Sequence, residues 1–192
     1  MPAAQTKAPE RIALGSGRVY YQTFDGDISD LDVDTLCVPA NELGHVKNGA
    51  SIEYTPEYYE ATSDLGLVKK QIMTSEEAIL TLGLITWNAN TLGVLADTGR
   101  VTENAVDKTR TIKIGGIANA KNTRYVFCFH HSDSIDGDIW IVIVGQNQSG
   151  FTLQFSPDEE TVLEPEIKCL PQDDSGTLIQ LIEHDETITA EE

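Results

Sequence analysis

Positive charge is scarce in this chain. It has 13 lysines and arginines against 31 aspartates and glutamates, a formal net charge of −18. Readers of nucleic-acid grooves carry a basic face, and anionic membranes select for one, so both classes are disfavoured. Cysteine is equally sparse. Cys37, Cys128 and Cys169 lie far apart along the sequence with no CxxC among them. An odd count without that spacing predicts neither a disulfide framework nor a zinc site, but buried, inert thiols in a protein made in a reducing interior. No segment approaches the ~18 consecutive apolar residues of a membrane span. The longest such run, Ile139–Val144 (IWIVIV), has strand length. The opening MPAAQTKAPER has no apolar h-region, so no signal peptide is expected.

The 192 residues suit one domain. At 40% hydrophobic and 23% charged, the composition is that of a globular protein with its own core. Turn dipeptides recur: Asp25-Gly26, Asn48-Gly49, Asp136-Gly137, Ser149-Gly150 and Ser175-Gly176. They supply the positive φ angles of tight turns. Between them apolar and polar residues alternate with period two. The pattern predicts strands over Gly17–Phe24, Leu31–Val38, Ala50–Tyr59, Lys108–Ile114, Thr123–His131, Asp138–Gln146, Phe151–Phe155, Thr161–Cys169 and Thr177–Glu183. The fold class is mainly β: a β-sandwich or partly closed barrel with one flanking helix and a long hairpin excursion.

The helix is predicted near residues 88–97. Asn88 is its cap, Leu92 and Leu95 its packing face, and Thr98-Gly99 its end. Residues 75–86 are ambiguous. Thr74-Ser75-Glu76-Glu77 fits a capping box, yet Ile79, Thr81, Gly83 and Ile85 alternate as in a strand. Ile139–Val144 is apolar on both faces and therefore central. One cover comes from the helix side, and the other from a second sheet or a neighbouring subunit.

Chemistry is hard to find. Asp25, Asp27, Asp30, Asp32 and Asp34 suggest a calcium loop, but an EF-hand register started at Asp25 meets Asp30 where glycine is needed and Leu36 where glutamate is needed. The last three aspartates read better as the wet face of a strand. Asp133, Asp136 and Asp138 read as turn residues. His130 and His131 are adjacent, and on a strand they point to opposite faces. Gly15-Ser16-Gly17 is not a nucleophile elbow, and Gly115-Gly116 lacks the rest of a phosphate loop. Asn147-Gln148-Ser149 matches a glycosylation acceptor by chance. No catalytic residue, cofactor or metal is predicted.

Charge is uneven. Residues 99–131 hold six basic side chains (Arg100, Lys108, Arg110, Lys113, Lys121, Arg124) and two acidic ones, while residues 158–192 hold one basic and 12 acidic. Such a pattern fits either solvated strand faces or head-to-tail self-complementarity. Residues 41–73 form a tyrosine-rich excursion suited either to an interface or to folding back on its own body.

Three runs carry a resemblance. They are GASIEYTPEYYEATSDLGLVKKQIMTSEEAILTLGLITWNANTLGVL (Gly49–Leu95), RTIKIGGIANAKNTRYVFCFHHSDSIDGDIWIVIVGQNQSGFTLQF, and ETVLEPEIKCLPQDDSGTLIQLIE. In that order, across Gly17–Glu183, the chain resembles the major tail tube proteins of long-tailed bacteriophages, whose relatives include contractile-tail and type VI secretion tubes.

The resemblance implies a β-sandwich with a flanking helix, six-membered rings, and stacking into a hollow tail tube. That tube encloses a tape-measure protein, meets terminator and baseplate or initiator proteins, and conducts genomic DNA from the virion without binding its sequence. It implies a flexible arm at residues 1–16, a β domain at 17–183, an inter-subunit hairpin within 41–73, and an acidic tail at 184–192. Tyr54, Tyr58, Tyr59, Leu65, Leu67, Lys69 and Lys70 become interface candidates. Lys108, Arg110 and Lys113 become candidates for polar complementarity between stacked rings, and Leu92 and Leu95 pack the helix. Another β-rich virion component, such as a tail terminator or head decoration protein, is the alternative. A carbohydrate- or calcium-binding sandwich module is a more distant one.

Overall fold

The structure is a computed structural model that describes residues 16–28, 31–66, 69–185 and 188. Its strands are β1 (Arg18–Thr23), β2 (Glu42–Thr62), β3 (Lys69–Leu84), β4 (Arg100–Asn104), β5 (Thr109–Lys113), β6 (Tyr125–His131), β7 (Ile139–Asn147), β8 (Glu166–Leu170) and β9 (Gln180–Glu183). Among the described residues two α-helices accompany them: one turn, α1 (Val33–Leu36), between β1 and β2, and α2 (Ala89–Leu95) between β3 and β4.

The fold is mainly β, and its large sheet is antiparallel throughout. Strand order runs β6-β1-β2-β3-β8-β7, and β6 also pairs with β7, so the sheet returns on itself. Closure is partial, because β3 meets β8 only over Ile79–Thr81, supplemented by a bridge from Leu84 to Leu163. The result is a partly closed ring of strands rather than a true barrel. β9 extends the sheet along Ile139–Val142 of β7, while β4 and β5 form a separate two-stranded sheet.

Two apolar clusters follow from alternation. Inside the ring, Val19, Leu43, Leu80, Leu82, Leu84, Phe127, Ile143, Leu163 and Ile167 are buried together with Leu92 and Leu95 of α2. On the other face of β1, β6 and β7, Tyr20, Val126, Cys128, Val142 and Val144 pack against Ile28 and Leu36. This explains why β7 is apolar on both faces. Its odd positions enter the ring, and its even positions are roofed by Phe24, Ile28, Leu31, Val33, Leu36 and Cys37 of the same chain.

α2 is well specified locally. The Asn88 side chain accepts from Asn90 N (2.7 Å) and Thr91 N (3.2 Å), and Asn88 N donates back to Thr91 Oγ1 (3.3 Å), a complete capping box. Thr91 Oγ1 donates to the Leu43 carbonyl, and Asn147 Nδ2 donates to the Leu95 carbonyl at the far end. The helix is thereby tied to β2 and β7.

Several expectations need correction. Leu31–Val38 is not a strand: Asp32 caps α1, accepting from Asp34 N at 3.0 Å, and this local hydrogen bond outweighs the period-two pattern. Asp32 and Asp34 are therefore cap and first-turn residues, and Asp30 lies outside the described residues. Asn48-Gly49 makes no hairpin turn. With φ of 65° and 80° it forms an irregularity inside β2, where the register slips between Val46 and Ala50. Opposite it, a Cβ on Gly83 would collide with the Lys47 carbonyl oxygen. Residues 75–84 are strand rather than helix. The Ser75 hydroxyl donates across the ladder to Glu57 at 2.6 Å instead of capping.

Phe151–Phe155 forms no strand, and Phe155 is 77% exposed beside Trp87. Strand structure within Thr161–Cys169 starts only at Glu166, and within Thr177–Glu183 only at Gln180. β4 lacks a period-two signal because Arg-Val-Thr-Glu-Asn presents one apolar residue. Asp136-Gly137 does turn β6 into β7, with Gly137 at φ 85°.

Truncating a residue at the centre of the ring creates a cavity. Phe127→Ala should cost about 3–5 kcal/mol by urea unfolding, whereas Val106→Ala, at an 89% exposed turn position, should stay within about 0.5 kcal/mol.

Candidate functional site

The most unusual feature is the outer part of the β2–β3 hairpin. Residues 53–62 pair with residues 69–79, from Glu53↔Ile79 to Thr62↔Lys69, and nearly all of 53–62 and 69–77 are exposed. At ~3.3 Å per residue this arm is about 30 Å long. β2 pairs with β1 only through His45, and β3 pairs with β8 only from Ile79. Among the described residues, each strand of the arm therefore has one unpaired edge. Such edges are templates for another chain, and an isolated two-stranded ribbon is marginally stable alone.

The arm also continues the core stripe into solvent. Ala78, Leu80, Leu82 and Leu84 face the ring interior. Directly opposite strand partners share a face. Beyond Ala78 the same face carries Tyr54, then Pro56 opposite Glu76, then Tyr58 opposite Met73. Tyr54, Tyr58 and Met73 are each about half exposed, at 49%, 54% and 50%. The other face carries Tyr59 opposite Ile72, also uncovered, and Leu65 at the tip is 82% exposed. Leu67 lies outside the described residues.

Charge decorates the arm. Lys69 pairs with Glu60 at 3.0 Å, Lys70 is exposed, and Lys168 of β8 reaches Glu77 at 2.5 Å. The Tyr54 hydroxyl donates to Glu76 at 2.6 Å, and this bond to a carboxylate holds the phenol above its ordinary pKa. A second, basic ribbon is β4–β5. Lys113 stands opposite Arg100, Arg110 pairs with Glu103 at 2.7 Å, and Lys108 occupies the turn at φ 50°. Within it Arg110 is neutralised locally, so Lys108 and Lys113 carry more of the outward charge than Arg110.

One constellation has no signature in the sequence. Asp138 gathers His130 Nε2 (2.8 Å), Ser132 Oγ (3.0 Å) and Asp133 N (3.1 Å), and the His130 ring stacks on Trp140 at 5.0 Å. The residue types are those of a hydrolase triad, but the wiring is not. Ser132 donates to the aspartate rather than to the imidazole, so the triad's imidazole base does not contact the hydroxyl. The set clamps the β6–β7 turn. His131 points the other way, buried, with Nδ1 on the Ser16 carbonyl. A cleft of about 500 Å³ beside the clamp is lined by Arg18, Tyr20, His45 and His130. Among the described residues, no group of three or more His, Cys, Asp or Glu side chains could hold a metal ion. No helix among them is long and apolar enough to cross a membrane.

No protein-family model matches the chain, and no curated protein matches it.

Two outcomes test this geometry. The hydrogen bond from His130, with help from Ser132 and Asp133 N, holds Asp138 below the ordinary value of 3.8. Its contribution is full above that value and is lost as pH falls through the lowered native one. Asp138→Asn should lower stability at pH 7 and flatten this part of the acid-unfolding curve, read by urea midpoints from pH 7 to 3. Shortening the arm in register, by joining Thr55 to Glu77 through Asn-Gly, retains the Lys168–Glu77 pair. Its urea midpoint should stay close to that of the full chain, because the removed residues bury little of the core.

Proposed function

We propose that this chain is a structural subunit that assembles with copies of itself into stacked six-membered rings, forming the hollow tail tube of a long-tailed bacteriophage. The observation that carries the reading is the arm: among the described residues, two unpaired strand edges and an uncovered Tyr54–Tyr58–Met73 strip, projecting from a partly closed ring of strands. A neighbouring copy that adds its own strands to these edges removes the aggregation hazard and covers the strip. Repetition of one heterologous contact generates rings and filaments.

Polarity supports a defined register. Residues 53–77 hold six acidic and two basic side chains, while residues 100–113 hold four basic and two acidic. An acidic arm against the basic β4–β5 ribbon of the next copy orients stacking electrostatically. In this reading the protein has no catalytic role. It surrounds a tape-measure protein, contacts terminator and baseplate proteins at the tube ends, and lets DNA pass. An acidic wall repels a polyanion, which favours sliding over binding. The location is the virion.

Negative-stain microscopy across a concentration series should reveal hollow tubes or stacked six-fold rings, formed spontaneously or after addition of a tail initiator complex. Discrete trimers or lone rings under both conditions would favour a decoration or terminator protein instead. The arm-shortened variant should remain folded and fail to assemble. Lys108→Glu with Lys113→Glu should weaken assembly most at low salt, and an unchanged salt dependence would remove electrostatics from the account of stacking.

A further inference from the structure

The two thiols that lie 91 residues apart in sequence meet in the second apolar cluster. Cys37 Sγ and Cys128 Sγ are 3.6 Å apart. Cys128 is fully buried at the centre of β6, paired to Tyr20 on one side and Val142 on the other. Cys37 is half-buried at the C-terminal end of α1, where its N–H donates to the Val33 carbonyl. The contact therefore bridges the roof over β1, β6 and β7 to the strand beneath it. We propose that Cys37 and Cys128 form a redox-reversible staple, closing to a disulfide when the protein meets a low-molecular-weight disulfide oxidant.

The geometry asks for little. A disulfide needs an S–S distance of ~2.05 Å, so the sulfurs must approach by about 1.5 Å. β6 is held by ladders on both sides and does not yield. α1 is a single turn anchored through Leu36, and the Asn41 amide, donating to the Leu36 carbonyl, ties it to the start of β2. The roof therefore supplies the movement.

The order of events follows from exposure. The Cys37 thiolate attacks one sulfur of the oxidant, forming a mixed disulfide and releasing one small thiol. The Cys128 thiol loses its proton and attacks the Cys37 sulfur, forming the Cys37–Cys128 bond and releasing the second small thiol. Two protein thiols are oxidised and one small disulfide is reduced to two thiols. Burial pushes both protein thiols above the ordinary range, Cys128 furthest, so the reaction is slow at neutral pH and accelerates in base. Cys169 belongs to the ring-interior cluster, is 5% exposed, and is raised by burial to about 11. It is the internal reference that stays reduced.

The staple is independent of assembly and is read on the full chain. Native protein is incubated with oxidised glutathione at pH 8.5, quenched in acid, and analysed by intact mass, thiol titration in denaturant and peptide mapping. The expected product has lost two hydrogens, retains one free thiol at Cys169, and yields a Cys37–Cys128 linked peptide. Its thermal midpoint should rise by roughly 5–10 °C and return on reduction with dithiothreitol, because the bond closes a long loop of the unfolded chain. Cys37→Ser, a change at a half-buried cap, should abolish both the mass change and the midpoint shift. Three free thiols after prolonged exposure, a glutathione adduct that persists on Cys37, or a disulfide between two chains would each overturn the proposal.

Discussion

Strand β7 cannot meet water on either face, and the rest of the molecule is arranged to meet that constraint. Ile141 and Ile143 point into the ring, where Phe127, Leu80, Leu82 and the α2 leucines surround them. Val142 and Val144 point outward, where the segment carrying Ile28 and Leu36 lies over them. Each apolar side chain of this size contributes about 1.5–3 kcal/mol when fully buried, so leaving either face open would forfeit much of the stability of a marginally stable fold. The crossing from β1 to β2 is used as a roof, and the ring closes through β6 and β8 because both flank β7. Gly145 marks how tight that flank is: a Cβ there would strike the Lys168 carbonyl oxygen.

With β7 covered by the chain's own residues, the half-exposed Tyr54, Tyr58 and Met73 of the arm form a continuous strip, whereas exposed apolar residues such as Val106, Ile117, Ile135 and Phe155 lie elsewhere on the body. That division gives the proposal its shape. The body supplies its own two cores, so under the proposed function a subunit folds before it assembles. The arm supplies unpaired edges and half-exposed aromatics, which the proposed assembly would use as its surface. Its carboxylates keep the exposed edges soluble in the meantime, since charged residues on an edge discourage indiscriminate pairing. Basic charge on the β4–β5 ribbon then offers a complementary partner surface.

Much of the fold is legible in the sequence where local and tertiary preferences agree. The Asn88 cap, the Leu92–Leu95 face and the Asp136-Gly137 turn are short-range signals, and the structure uses each of them. Legibility fails where two local signals compete. Asp32 can face solvent on a strand or cap a helix, and its hydrogen bond from Asp34 N, together with burial of Leu36, favours the helix. Asn48-Gly49 is a strong turn dipeptide, but the ladder on either side of it continues, and the positive φ pair is absorbed as a slip in register. The roof over β7 comes from neither a second sheet nor a neighbour, because no periodicity announces that an irregular segment will lie on a strand. The Cys37–Cys128 contact is invisible in the sequence because only the topology brings together two residues 91 apart, whereas the Asp138 clamp lies within the predicted β6–β7 hairpin and lacks only a recognisable spacing. The arm is legible as an excursion, while its open edges become definable only once the reach of β1 and β8 along it is known.

The claim at the centre of this account is that the arm is completed by another copy of the chain. Hydrogen–deuterium exchange of the arm amides, compared between dilute protein and the assembled form, tests it most directly. The account predicts that amides on the open edges of residues 53–62 and 69–77 exchange rapidly in the dilute protein and become protected on assembly, while β6 and β7 are protected in both. Assembled protein whose arm amides exchange as fast as in the dilute state would contradict it.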